Sequence, residues 1–220
     1  MAKQFDITAE KQYYSHHPPA LWKEASNESV ETLMRLTAGT SWSKYLNNKT
    51  VLELGAGEST YVPYLLSKGK PASYLASDIF ENRYSAARDS LLDKFSNLKF
   101  RVLHADKIEL PDNSFDTILA FGLYHHLPNL ADAFRQAHRV LRPGGILILR
   151  DPYQGNPAIR LKYRLITRSM NEWPLNMHKT QHALKSAGFA IVSANRFWLR
   201  FPRLWAGPWS TNIGFVAQAI

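Results

Sequence analysis

Short apolar runs alternate with longer segments of helical periodicity over the first two thirds of the chain. Five runs predict strands, namely Thr50–Leu54, Ala72–Ser77, Lys99–Leu103, Phe115–Phe121 and Gly145–Arg150. The segments between them predict helices near Thr60–Lys68, Arg83–Lys94 and Leu130–Leu141. Strands that alternate with helices indicate βαβ units and a parallel sheet.

The pattern changes after Asp151. Two further helices are predicted near Ala158–Arg168 and Lys179–Ala187, followed by two late strands, Phe189–Phe197 and Asn212–Ala219. The length of 220 residues suits a single domain. We divide it into a helical N-terminal segment (1–49), a core (50–151) and an insertion that completes the sheet (152–220).

Basic residues are concentrated in the last part of the chain. Residues 139–220 contain 12 Lys/Arg and 2 Asp/Glu, whereas residues 1–138 contain 15 and 16. This asymmetry indicates either an anionic partner or a solvated basic surface. The segment from Arg196 to Trp205 alternates arginines with aromatic residues, a composition that can contact an anionic lipid or membrane surface. The alternative, favoured for most of the aromatics, is that they complete the core while the arginines stay in solvent. Nucleic acid is less favoured, because no recognised RNA or DNA module is present.

Composition excludes several kinds of site. The absence of cysteine excludes disulfides, thiolate metal sites and cysteine nucleophiles. No apolar run approaches the roughly 20 residues of a membrane span, and the first residues lack a secretory signal, so a cytoplasmic location is expected. His178 and His182 are four residues apart, but no third ligand accompanies them, and no metal site is predicted.

Two features following the first strands point to a nucleotide-like ligand. The strand that ends at Leu54 runs into a turn with Gly55 and Gly57, where the backbone can approach a ligand closely. A dinucleotide fingerprint would need a third glycine where Thr60 stands. Asp78 ends the second strand, where a carboxylate could accept hydrogen bonds from ribose hydroxyls or could instead cap the next helix.

Further motifs follow in a fixed order: HAD at 104–106, LPDNSFD at 110–116, GLYHHL at 122–127 and RVLRPGG at 139–145. Together with VLELGAGES at 51–59 and Asp78, they resemble the class I S-adenosylmethionine-dependent methyltransferases. The similarity is to the type 11 family, which includes the ubiquinone and menaquinone biosynthesis methyltransferases. It implies a Rossmann-like α/β fold, with a seven-stranded, mostly parallel sheet, helices on both faces and an antiparallel last strand. It also implies S-adenosylmethionine as cofactor and a lid formed by residues 1–49.

The resemblance implies a role for each matched position. The methionine portion of the cofactor would be held by Glu53, Gly55, Ala56 and Gly57. The ribose would bind Asp78, the adenine would contact Ile79, Asp106 and Lys107, and the sulfonium would lie near Phe121. Ser59 is a departure, because the family often has a third glycine there.

Candidate catalytic residues follow the fourth and fifth strands. His125 and His126 could act as a general base, and a structural role is the alternative. Asp151 could orient substrate, accept a proton or cap a turn. The predicted substrate contacts are Tyr14, Tyr124, Tyr153 and Arg164.

The function expected from these features is methyl transfer to a small-molecule acceptor by a monomer or homodimer. Oxygen is the preferred acceptor atom, and the substrate would be anionic, lipid-like or aromatic. The alternatives are methylation of RNA and a protein that binds the cofactor without catalysis. An NAD-dependent oxidoreductase is the least favoured alternative, because such an enzyme is not expected to carry the LPDNSFD, HHL and LRPGG segments.

Overall fold

The computed structural model describes residues 23–165, 173–198 and 210–220. One seven-stranded sheet has the order β3-β2-β1-β4-β5-β7-β6. Its strands are β1 (Thr50–Leu54), β2 (Ser73–Asp78), β3 (Leu98–Val102), β4 (Phe115–Phe121), β5 (Leu141–Pro152), β6 (Phe189–Phe197) and β7 (Asn212–Ala219). β7 is antiparallel to β5 and β6, and the remaining neighbours pair in parallel. The predicted fold class is therefore confirmed.

Helices cover both faces of this sheet. They are α1 (Asn27–Ala38), α2 (Val62–Gly69), α3 (Ser85–Lys94), α4 (Leu130–Val140), α5 (Pro157–Leu165) and α6 (Met177–Ser186). Apolar residues of α1, α2 and α3 form one core with alternate strand residues such as Val51 and Leu119. Residues of α4 and α6 form the other core with the intervening strand positions, such as Leu52 and Ile118. Central strands buried on both faces explain their continuous apolar runs.

Polar caps set the beginnings of several helices. The Ser26 hydroxyl accepts a hydrogen bond from the Ser29 amide at the start of α1, which ends at Gly39 with φ of +85°. The Asn129 side chain accepts from the amides of Ala131 and Asp132 at the start of α4. Such caps satisfy amides that have no partner within the helix.

Most of the predicted bounds differ from the observed ones by one or two residues, but β5 begins four residues earlier than expected. Leu141 pairs with Phe115, and the register then shifts before Thr117 pairs with Ile146. Arg142 lies in the irregular stretch, where its guanidinium is 2.8 Å from the Asp116 carboxylate. α4 ends at Val140, so the chain enters the sheet before Pro143 and the two glycines that follow it rather than after them.

The N-terminal segment contributes to the sheet core in its described part, where α1 packs against β5, β6 and β7. Residues 1–22 lie outside the described residues, so the lid stays a prediction. The same holds for the end of the helix predicted to reach Arg168 and for residues 199–205 of the basic aromatic segment, which runs from Arg196 to Trp205. No helix in the described ranges is long and apolar enough to cross a membrane.

Candidate active site

A cavity of about 320 Å³ opens where β1, β2, β4 and β5 end. Strand order reverses between β1 and β4, and open α/β sheets bind ligands at such a point. Eight of the nine predicted cofactor residues line it: Glu53, Gly55, Ala56, Gly57, Asp78, Ile79, Asp106 and Phe121. The structure therefore brings together residues that lie up to 68 positions apart in the chain.

Two glycines give the turn after β1 a left-handed backbone. Gly55 has φ of +69°, and a Cβ there would lie 3.0 Å from the Leu123 side chain. Gly57 has φ of +53°. Positive φ disfavours other residues, so these two glycines keep the backbone close to the cavity.

Asp78 fixes the same turn from the neighbouring strand. Its carboxylate accepts hydrogen bonds from the amides of Gly57 (2.9 Å) and Phe80 (3.2 Å). Burial raises the pKa of Asp78, although these amides and the nearby Arg83 act in the opposite direction. The half-buried carboxylate also lines the cavity, where it can accept hydrogen bonds from ligand hydroxyls.

Glu53 places a second carboxyl in the cavity wall. The residue is 3% exposed, and the Tyr74 hydroxyl donates to its Oε2 at 2.7 Å. Burial raises the pKa of Glu53 to about 7, while the bond from Tyr74 lowers it and the charge of Asp78 raises it. A nearby cation stabilises the charged form of a buried carboxyl. A cationic ligand is therefore a favourable partner for Glu53.

Lys107 is the predicted cofactor residue that the structure does not bring to the cavity. Its exposed ammonium lies 3.2 Å from the Glu109 carboxylate. His104 and Lys107 form an isolated antiparallel bridge, so Asp106 lies within a tight turn and Lys107 lies at its end.

His125 and Asp151 form a buried pair beside the cavity. The His125 Nδ1 lies 2.7 Å from Asp151 Oδ1, which also accepts from the His125 amide at 3.1 Å. A carboxylate only accepts hydrogen bonds when ionised, so we assign the imidazole proton to Nδ1, which leaves Nε2 as an acceptor. A Cβ built on Gly122 would lie 3.8 Å from His125 Cε1, so the imidazole is close to this glycine, which lines the cavity.

His126 lines the cavity directly, and its ring centroid is 4.0 Å from that of His125. The two histidines belong to a short 3-10 helix, Tyr124–His126, that follows β4. Among the described residues, no cluster of three His, Asp or Glu could hold a metal ion.

The predicted substrate contacts are distributed differently. Tyr124 is fully buried, and its ring packs 4.6 Å from that of Phe134, so the structure does not bring it to the cavity. Tyr153 is half-buried and accepts a 3.3 Å hydrogen bond from Arg196, also outside the cavity lining. Tyr14 and the side chain of Arg164 lie outside the described residues.

The structure adds cavity residues that sequence reasoning missed, chiefly Tyr61, Arg83 and Arg150. The Tyr61 ring contacts that of Phe121 edge-on at 6.2 Å. Arg83 lies 3.9 Å from the Glu58 carboxylate across the glycine turn. A signal for Arg150 was available, since it ends an apolar strand next to Asp151.

Ser59, the departure noted in the glycine-rich turn, occupies left-handed backbone with φ of +57°. Its hydroxyl is buried and has no hydrogen-bond partner in the described part of the chain.

Ser59→Gly should stabilise the fold by about 1 kcal/mol. The change removes about 1–2 kcal/mol of backbone strain and an unsatisfied hydroxyl, but it also increases the entropy of the unfolded chain. Thermal unfolding should shift upward by roughly 2–4 °C. A matched Ser90→Gly change, at an exposed position within helix α3, should destabilise instead. A lower midpoint for Ser59→Gly would contradict the assigned strain.

The comparison with known protein families gives a match over residues 52–149, to the family described as methyltransferase domain. Residues 52–149 of the chain therefore resemble a methyltransferase domain. A relative, the ubiquinone/menaquinone biosynthesis C-methyltransferase UbiE of Ectopseudomonas mendocina, is 33% identical over 57% of this chain and 58% of its own length. The resemblance predicted from the motifs is thus confirmed, and the chain spans less than two thirds of the curated relatives' length.

Solved structures agree on the fold. An S-adenosylmethionine-dependent methyltransferase from Mesorhizobium loti has a TM-score of 0.66 at 19% identity, over 79% of this chain and 92% of that one. A putative sarcosine dimethylglycine methyltransferase from Galdieria sulphuraria has a TM-score of 0.69 at 14% identity, over 96% and 98%. At these identities, the likeness concerns the architecture.

S-adenosylmethionine is the cofactor that the methyltransferase domain implies, and the cavity residues fit it. The glycine turn lines the cavity with backbone, and a Cβ at Gly55 would press against Leu123, another lining residue. The acids Glu53 and Asp78 match the ammonium and the ribose hydroxyls of this cofactor, and both face one cavity.

Proposed function

We propose that this protein transfers the methyl group of S-adenosylmethionine to a small-molecule acceptor. The observation that carries the proposal is the cavity in which Glu53, the glycine turn and Asp78 meet at the ends of adjacent strands. In this assignment Glu53 pairs with the cofactor ammonium, Asp78 binds the ribose hydroxyls and Asp106 accepts from the adenine amino group. The bound cofactor supplies an electrophilic methyl group.

The protein's own contribution is to bind both reactants and align them. Methyl transfer is an in-line displacement, so orientation supplies much of the acceleration. The cavity lining contains apolar surfaces from Phe121, Leu123 and Leu127 that would limit the access of water to the reacting atoms.

We assign the proton-accepting role to His125, with Asp151 as its positioning residue. The bond from Nδ1 to Asp151 sets the tautomer and leaves Nε2 able to take a proton. His126 lines the cavity and is assigned to acceptor contact. A general base is useful only if the acceptor must lose a proton.

The proposed acceptor is therefore a phenol or another hydroxyl compound, with methylation at oxygen. An activated carbon acid is the second candidate, favoured by the C-methyltransferase names of the relatives. Both start with the same deprotonation, and mass spectrometry of the product separates an O-methyl from a C-methyl group. Lipid contact by the basic aromatic segment and a cytoplasmic location remain predictions.

Calorimetric titration with S-adenosylmethionine, S-adenosylhomocysteine and NAD tests the cofactor assignment. Asp78→Asn should weaken binding of both adenosyl compounds roughly 10-fold to 30-fold, because the ribose loses hydrogen bonds to a charged acceptor. Asp93→Asn, an exposed aspartate on α3, is the matched control and should bind like the unmodified protein.

NAD binding without a response to either adenosyl compound would overturn the proposed function. Cofactor binding without methyl transfer to any phenol, carbon acid or RNA would favour the non-catalytic alternative. Transfer to RNA alone, with a steep salt dependence, would favour the nucleic-acid alternative.

A further inference from the structure

Arg150 is a cation in the cavity wall with few partners of its own. Its Nε is buried without an acceptor, and its Nη1 makes one long hydrogen bond, 3.4 Å to Asn212 Oδ1. In the described ranges, no carboxylate lies within ion-pairing distance of this guanidinium. Buried hydrogen-bond donors in native proteins almost always have an acceptor. The described part of the protein does not supply one to the Arg150 Nε, so a bound ligand could supply it.

The sheet register places Arg150 on the same face as Glu53. Phe121 pairs with Arg150, and Glu53 pairs with Leu119, two residues before Phe121. Side chains two residues apart share a face, so all three line one side of the sheet. Two strand spacings of about 4.8 Å and two residues of about 3.3 Å separate Glu53 from Arg150, which puts their Cα atoms on the order of 12 Å apart.

This spacing suits a zwitterion held between the two side chains. Both residues line the cavity, Glu53 with a carboxyl and Arg150 with a guanidinium. The amino-acid end of the cofactor carries an ammonium and a carboxylate on one carbon. A guanidinium binds a carboxylate through two parallel N–H donors, which is the strongest arrangement open to Arg150.

We infer that Arg150 binds the α-carboxylate of the cofactor and so makes the site select the intact amino-acid end over its decarboxylated form. The inference rests on the proposed cofactor. It assigns a charge to each end of the cavity: Asp78 at the end of β2 for the ribose, and Arg150 at the end of β5 for the carboxylate.

The test compares two ligands that differ in one group, S-adenosylhomocysteine and S-adenosyl-3-thiopropylamine, which lacks the carboxylate. Calorimetry should show a preference of roughly 10-fold to 100-fold for S-adenosylhomocysteine in the unmodified protein. Arg150→Met should reduce this preference to less than about 3-fold by weakening only the carboxylate ligand. Arg150→Lys, which keeps the charge and loses the fork, should be intermediate.

Arg83→Met is the matched control, because Arg83 lines the same cavity but lies beside Glu58. It should leave the preference between the two ligands unchanged. Adenosine binding shows that each variant is folded, and if Arg150→Met fails this check then Arg150→Lys decides the result.

An equal effect of Arg150→Met on both ligands, or no effect on either, would overturn the role of Arg150 and leave the proposed function intact. An unmodified protein that binds neither ligand would overturn both.

Discussion

Glu53→Gln should become progressively more stable than the unmodified protein as the pH rises from 4.5 to 7, gaining about 3 kcal/mol in total. Above pH 7 the unmodified protein keeps a charged carboxylate in a position that is 3% exposed. Its described polar partner is the Tyr74 hydroxyl, and its charged neighbour Asp78 is also acidic. Glutamine has nearly the same shape and can still accept from Tyr74, but it carries no charge.

The sign follows from the raised pKa. The folded protein holds the Glu53 proton up to about pH 7, whereas the unfolded chain releases it near the ordinary pKa of 4.5. Between these values the folded state binds more protons, so its free energy of unfolding falls as the pH rises. Burial also raises the pKa of Asp78, which adds a slope of the same sign that Glu53→Gln does not remove.

Urea unfolding of both proteins at half-unit steps between pH 4.5 and 8 measures the effect. The difference in unfolding free energy should widen up to pH 7 and then level off. Tyr74→Phe is an informative second variant, since losing its hydrogen bond should raise the pKa of Glu53 further and move the plateau to higher pH. Parallel curves for Glu53→Gln and the unmodified protein would contradict a raised pKa.

The same substitution should weaken S-adenosylhomocysteine binding, because the proposed ammonium contact loses its charge. Glu53 would then be a residue that destabilises the free protein and is kept for the ligand, a recognised trade-off in functional sites. If Glu53→Gln gains stability but binds S-adenosylhomocysteine with unchanged affinity, then the ligand ammonium does not contact Glu53.

The cofactor half of the site was predictable because each signal lies next to the end of its own strand. Gly55 and Gly57 follow β1 directly, and Asp78 ends β2, so strand prediction alone brings them to one edge of the sheet. The glycines also have a backbone reason to be there, since both adopt positive φ. At these positions the local sequence therefore determines both which residue is present and where it lies in the sheet.

The remaining side chains depend on contacts that local sequence does not contain. Tyr124 lies beside the two histidines, but α4 brings Phe134 against its ring and buries it. Lys107 pairs with His104 across a tight turn, and its ammonium lies beside the Glu109 carboxylate rather than in the cavity. The position of Arg150 in the cavity follows from its pairing with Phe121, and that register is a property of the assembled sheet.

His125→Gln should lower kcat by about 10²-fold to 10⁴-fold, the usual contribution of a general base. Glutamine can still donate to Asp151, so the buried carboxylate keeps a partner while the proton acceptor is lost. The rate is measured as S-adenosylhomocysteine formed with an acceptor found by screening phenols and carbon acids. The affinity for S-adenosylhomocysteine should not change, because His125 does not line the cofactor cavity.

Asp151→Asn should lower kcat as well, again without changing cofactor affinity. An amide at this position can donate to the imidazole and favour the wrong tautomer, so Nε2 would carry the proton that it should accept. Asp151 Oδ2 is buried without a partner in the described part of the chain, so the substitution also gives an NH₂ group no acceptor there. Some loss of stability should accompany the loss of rate.

His178→Gln, an exposed position on α6, is the matched control and should retain full activity. His126→Gln separates the two neighbouring histidines. If it reproduces the loss in kcat while His125→Gln does not, then His126 accepts the proton and the His125–Asp151 pair only supports its ring, which lies 4.0 Å away. If both variants raise KM and leave kcat unchanged, the acceptor needs no base, and methyl transfer proceeds by alignment alone.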